Sequence, residues 1–114
     1  MQHTPGDGVP PWDYNAPPEK RVLTDTSAAA IAAAALFRLS RVHRDPVKAH
    51  FYWETGVTIV KSLCDKHLAI NDKKWEGILK GGVYHLHRGI GVDESVIWGE
   101  YYFIEALSRC LPEV

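Results

Sequence analysis

A chain of 114 residues can bury one modest core but cannot close a complete twelve-helix toroid, so one compact unit is expected. A formal net charge of -1, with both signs interspersed, gives no basic footprint for nucleic acid or an anionic membrane surface. The longest apolar run, residues 28–37, has about half the length that a membrane-crossing helix requires, and Arg38 follows it directly.

Residues 1–23 are rich in proline, glycine and aspartate and carry Trp12 and Tyr14. Such a composition cannot sustain a helix but can lay an extended, aromatic-bearing arm across a neighbour. The opening MQHTPGDGVPP has neither the basic head nor the apolar segment of a secretory signal. A cytoplasmic chain is the expectation, unless a preceding segment carries a signal of its own.

Thr24, Asp25, Thr26 and Ser27 offer several N-cap oxygens before an alanine-rich run, the best helix-forming composition in the sequence. The first helix should reach about Val42. No charge interrupts residues 26–37, so this helix should be covered on more than one side, its alanines admitting close neighbours. Asp45 followed by Pro46 starts a second helix after a short turn, predicted to end near His67. Ala49, Tyr52, Gly56, Ile59 and Leu63 form its buried stripe, and Lys48, Glu54, Lys61, Asp65 and Lys66 its wet face. Residues 68–94 form a second long connection, whose glycines and alternating apolar residues suit a short irregular hairpin. A third helix should start near Ser95, with Asp93 and Glu94 at its positive end. Ile97, Tyr101, Ile104, Leu107 and Leu111 are its predicted core stripe, and Pro112 its stop. Cys64 and Cys110 lie far apart in helical patterns with no CxxC pairing, which predicts two buried thiols and no disulfide.

Three successive antiparallel helices make the first and third parallel, so both long loops land at one end. That end should hold Trp12, Tyr14, Trp75, Tyr84, His85, His87 and Arg88. Two helix N-termini there would favour an anion such as a sugar carboxylate. Trp12 with Tyr14 reads either as a sugar-stacking wall or as a pin holding the loop to the scaffold. His85 and His87 stand in H-x-H spacing, but no third ligand has suitable spacing, so neither a metal nor another cofactor is expected. Asp93 is read as a helix cap and Glu94 as an acceptor for nearby backbone amides, in preference to a catalytic carboxylate pair.

Three segments in order, GDGVPPWDYNAP (6–17), TDTSAAAIAAAAL (24–36) and EGILKGGVYHLHRGIGVDESVIWGEYYFIEAL (76–107), resemble the C-terminal part of the unsaturated glucuronyl hydrolases, glycoside hydrolase family 88. Together they span nearly the whole chain. The resemblance implies a mostly all-α fold, about the last three helices of an (α/α)6 barrel, with two long loops at one end. Residues 1–114 would be one unit, 1–23 an aromatic loop and 24–111 the helical part. It also implies hydration of the C4=C5 double bond of the unsaturated uronic acid that lyases leave on oligosaccharides. One aspartate serves there as acid and base, and a second supports it. Both belong to the N-terminal part of the family barrel, and neither maps by motif onto Asp7, Asp13, Asp25 or Asp93. No catalytic residue is therefore assigned, and the chain alone is expected to be inactive. The substrate-binding candidates are Trp12, Tyr14, His85, His87 and Arg88, and the expected partner is an unsaturated uronic-acid oligosaccharide.

Two departures stand out. Relatives acting on sulfated sugars resemble a serine-x-x-serine-x-lysine pattern where this chain has His85, Arg88 and Ile90, which weakens the case for a sulfated sugar while leaving Arg88 and His85 able to meet an anion. Lys80 stands where many relatives have histidine. A noncatalytic helical module binding sugar or protein, and a relative of the unsaturated rhamnogalacturonyl hydrolases, are the alternatives. Bared apolar helix faces would favour self-association.

Overall fold

The computed structural model describes residues 4–17, 19 and 23–111. Three helices, α1 (Thr26–Val42), α2 (Pro46–Lys66) and α3 (Ile97–Cys110), carry the mass, and a hairpin of β1 (Gly82–His85) and β2 (Ile90–Glu94) lies between α2 and α3. The helix limits agree with the sequence reading to within about two residues. Pro112, the predicted stop of α3, lies outside the described residues.

Each start has a local cause. The Asp25 side chain accepts from the Ser27 backbone amide at the head of α1, and Asp45 does the same for Val47 and Lys48 at the head of α2, where Pro46 has no amide to satisfy. α1 is the central rod, with α2 and α3 packed on it and only a slight contact between themselves. Ala29, Ala30, Ala33, Ala34 and Phe37 are buried there against Ile59, Leu63, Phe103 and Ala106. Gly56 lets the Phe37 ring reach the α2 backbone, and Trp53 tilts against the same ring at 5.0 Å.

Helix directions follow from ties at their ends. Trp98 at the head of α3 donates from Nε1 to Ser27 Oγ at the head of α1 (3.0 Å), whereas Arg41 near the tail of α1 donates to the Arg109 carbonyl near the tail of α3 (2.9 Å). α1 and α3 are thus parallel. His67, just past the end of α2, meets Gly81 beside Thr26, so α2 runs the opposite way and both connections do reach one end.

The core stripe predicted for α3 is corrected except at Leu107, which is half-buried and packs against the core. Ile97, Tyr101, Ile104 and Leu111 are 77%, 63%, 50% and 65% exposed, while Gly99, Phe103 and Ala106 are buried against α1. The two stripes are displaced by two positions, about 200° around a helix, so each marks the opposite face. Close packing on α1 selected the side with small residues: a Cβ on Gly99 would stand 3.0 Å from the Ser27 Cβ. α1 is covered on two sides as expected, with a third face of Ala32, Ala35 and Leu39 open. Cys64 and Cys110 are free and half-buried, and burial pushes both thiols up from their ordinary pKa. Among the described residues, no helix is long and apolar enough to cross a membrane.

Candidate substrate cleft

The N-terminal arm is fixed by its own backbone. Gly8, left-handed at φ 78°, presses on Ile59; Val9 is buried; and Lys66 Nζ meets Asp7 Oδ2 at 3.0 Å. Burial opposes the Asp7 carboxylate, but the Lys66 contact and the Val9 amide outweigh it and hold its pKa below the ordinary value. Farther on, Pro11 pairs with Thr24, the Trp12 amide donates to the Leu23 carbonyl (3.0 Å) and the Asp25 amide to the Pro10 carbonyl (2.9 Å). Trp12 is thereby placed beside the first turn of α1.

The second connection is tied to the same end. Thr26 donates its amide to the Gly81 carbonyl (3.0 Å) and its hydroxyl to the Lys80 carbonyl (2.6 Å), and the Lys80 amide donates to the His67 carbonyl (2.8 Å). Gly81 has φ 78° with Thr26 and His67 against it, a place where a side chain would be strained. Burial lowers the His67 pKa against the opposing pull of Asp7; Lys66 adds to the lowering, and Asp93 opposes it. From this base the hairpin carries Tyr84 and His85 on β1 and His87 and Arg88 on a 3-10 turn.

Arm and hairpin border an open cleft of about 330 Å³ lined by Trp12, Asp25, Val83, Tyr84, His85, Leu86 and His87. Trp12 meets the His87 ring edge-on at 5.8 Å, and His87 stands 6.3 Å from His85. His85 Nδ1 accepts the Arg88 amide at 3.3 Å, so any hydrogen bond that His85 donates comes from Nε2. Flat rings beside donors suit a sugar's apolar faces and hydroxyls.

Of the five residues singled out from sequence, the structure brings together Trp12, His85 and His87. Tyr14 lies 2.8 Å from the Thr4 hydroxyl and lines a neighbouring apolar groove of about 460 Å³, which it shares with Trp12. Arg88 is exposed on the turn beyond the cleft lining. The expected pull of the α1 N-terminus on an anion is met internally, since the Asp25 carboxylate already sits there.

Asp93 is no helix cap. It belongs to β2 with φ 53°, and the N-cap of α3 is Val96, which makes no side-chain cap bond. Glu94 pairs through its backbone with Gly82. The carboxylate that binds the backbone amides before the hairpin is that of Glu100, which accepts from Ile78 at 3.0 and 2.9 Å and from Leu79 at 3.0 Å. Asp25 and Tyr84 also line the cleft without having been singled out as binding residues. The TDTS cap cluster pointed to Asp25 only as a helix start, and alternation in GGVYH placed Tyr84 on a strand without saying which face was wet.

No protein-family model matches the chain. It is 36% identical to the unsaturated glucuronyl hydrolase of Bacillus sp. (strain GL1) over 111 residues, 96% of this chain and 29% of that protein. The crystal structure of unsaturated glucuronyl hydrolase from Bacillus sp. GL1 superposes with a TM-score of 0.85 at 35% identity, covering 95% of this chain and 29% of that one. The chain is a homologue of the unsaturated glucuronyl hydrolases. A mutant of the Streptococcus agalactiae unsaturated glucuronyl hydrolase, in complex with dGlcA-GalNAc6S, superposes with a TM-score of 0.79 at 33% identity over 96% of this chain and 29% of that one. The chain thus spans about 29% of the length of the relatives it matches. Its three helices correspond to part of their (α/α)6 barrel.

Proposed function

We propose that this chain supplies one wall of the substrate cleft of an unsaturated glucuronyl hydrolase, an enzyme that adds water across the C4=C5 bond of an unsaturated uronic acid at the end of an oligosaccharide. The hydrated sugar then rearranges and releases its neighbour. The observation carrying this reading is Trp12 edge-on to His87 at 5.8 Å, with His85 and Asp25 in the same cleft. An aromatic face beside two imidazoles provides stacking and hydrogen bonding to a ring with hydroxyls and a carboxylate. Trp12, His85 and His87 form the binding wall; Tyr14 and Arg88 extend it to a following sugar or anion outside the cleft. The acid-base aspartates lie elsewhere in the complete barrel, so the chain alone is inactive.

The test replaces the matching stretch of the Bacillus enzyme with this chain and follows the ultraviolet absorbance of an unsaturated disaccharide. The chimera should consume the double bond while the isolated chain does not. A folded but inert chimera would overturn the family function, and family-like turnover by the isolated chain would overturn the placement of the catalytic groups.

A further inference from the structure

Asp25 holds both sides of the cleft. Its backbone amide donates to the Pro10 carbonyl at 2.9 Å, one pairing before Trp12. Its side-chain Oδ1 accepts from three groups: the Ser27 amide (3.1 Å), the Ser27 hydroxyl (2.6 Å) and the Val83 amide (3.4 Å). Val83 lies in β1, next to Tyr84 and His85. Ser27 Oγ in turn accepts from Trp98 Nε1 at 3.0 Å, and the Trp98 ring stacks edge-on to Tyr84 at 5.5 Å. One carboxylate oxygen therefore links the head of α1, the hairpin and, through Ser27, the head of α3. An ordinary helix cap needs only the first of these links.

We propose that Asp25 is a positioning residue that sets the spacing between Trp12 and the imidazole pair His85 and His87. Its backbone helps register the tryptophan wall and its side chain the imidazole wall, so one residue is bonded to both sides of the cleft. This rests on the sugar-cleft reading for its consequence, although the geometric role is testable without sugar.

Substitution by serine separates capping from positioning, because serine caps as well as aspartate but is too short to hold Val83. In the full chain, Asp25→Ser should leave the thermal midpoint within a few degrees of the parent. It should also erase the nuclear Overhauser contact between the Trp12 indole and the His87 ring, and speed exchange of the Val83 amide by about tenfold, the loss expected for one charge-assisted hydrogen bond. Asp25→Asn keeps the cap and a weaker acceptor, and should retain the Trp12 to His87 contact with smaller exchange gains. Unchanged contact and exchange in Asp25→Ser would reduce Asp25 to a cap and overturn the proposal, as would global unfolding of both variants. A titration with an unsaturated uronyl disaccharide runs in parallel: weaker binding by Asp25→Ser than by the parent supports the positioning role. If the parent does not bind, the sugar reading fails while the exchange result still decides the role of Asp25.

Discussion

Removing the Glu100 carboxylate should loosen the base of the hairpin more than any single exposed change on α3. Its two oxygens receive the Ile78 amide at 3.0 and 2.9 Å and the Leu79 amide at 3.0 Å. Leu79 is 2% exposed, so in Glu100→Ala its amide loses its acceptor where water cannot easily replace it, at about 1–3 kcal/mol. Ile78 is 39% exposed, and solvent recovers most of what its amide loses. Loss of a negative charge in the first turn of α3 adds about 0.3–1 kcal/mol, and the better helix propensity of alanine returns a few tenths. The sum is a loss of about 1–3.5 kcal/mol, a fall of roughly 5–20 °C in melting midpoint for a domain of this size. Urea unfolding followed by tryptophan fluorescence measures it, with exchange of the Leu79 amide as the local reporter. Glu100→Gln keeps an acceptor and should lose about half as much. A loss under about 0.5 kcal/mol with unchanged Leu79 protection would refute the reasoning, since the magnitude rests on that amide being left unpaired.

Phe37 is fully buried between α1 and α2, and Phe37→Ala should cost about 3–5 kcal/mol by urea denaturation, enough to unfold a marginal chain. His67 has its pKa lowered by burial, so the unfolded chain binds its proton first. The stability it contributes is complete above about pH 6.5, the ordinary histidine value, and is lost as the pH falls toward the folded value. Urea midpoints between about pH 8 and pH 5 should fall in the parent and flatten in His67→Gln; Asp7, also lowered, enters only near and below about pH 4. The exposed Ile97, Tyr101 and Ile104 face should make the chain self-associate, with Ile104→Lys shifting sedimentation toward monomer; a parent monomeric at all concentrations would contradict this.

Much of this architecture was legible because its signals are local. Asp45 before Pro46 and the alanine run after Asp25 mark helix starts by chemistry that acts within one turn. The shared end for both loops followed from counting helix directions. The face of α3 was not legible, because Ile97, Tyr101 and Ile104 repeat as regularly as Gly99, Phe103 and Ala106, and only the partner chooses between the two. Small residues that admit a close neighbour carry little weight in a hydrophobic pattern, although they are what α1 packs against. Asp93 looked like a cap because it precedes a helix, yet a left-handed backbone in β2 leaves the cap position three residues on. Glu100 and Asp25 act on amides more than twenty and fifty residues away in sequence, respectively, and no local pattern announces such a tie. Trp12, His85 and His87 were found together because aromatic and imidazole groups on two loops at one end are a composition signal as well as a geometric one.

The most direct measurement is a nuclear magnetic resonance titration of the aromatic and imidazole ring protons with an unsaturated uronyl disaccharide. Resonances of Trp12, His85 and His87 should move together along one saturable curve, while those of Tyr101 on the far face of α3 stay still. Saturable shifts at Tyr101 with none at Trp12, or no shifts anywhere at tens-of-millimolar sugar, roughly the weakest affinity class that a small concave site offers, would contradict the placement of the sugar between arm and hairpin.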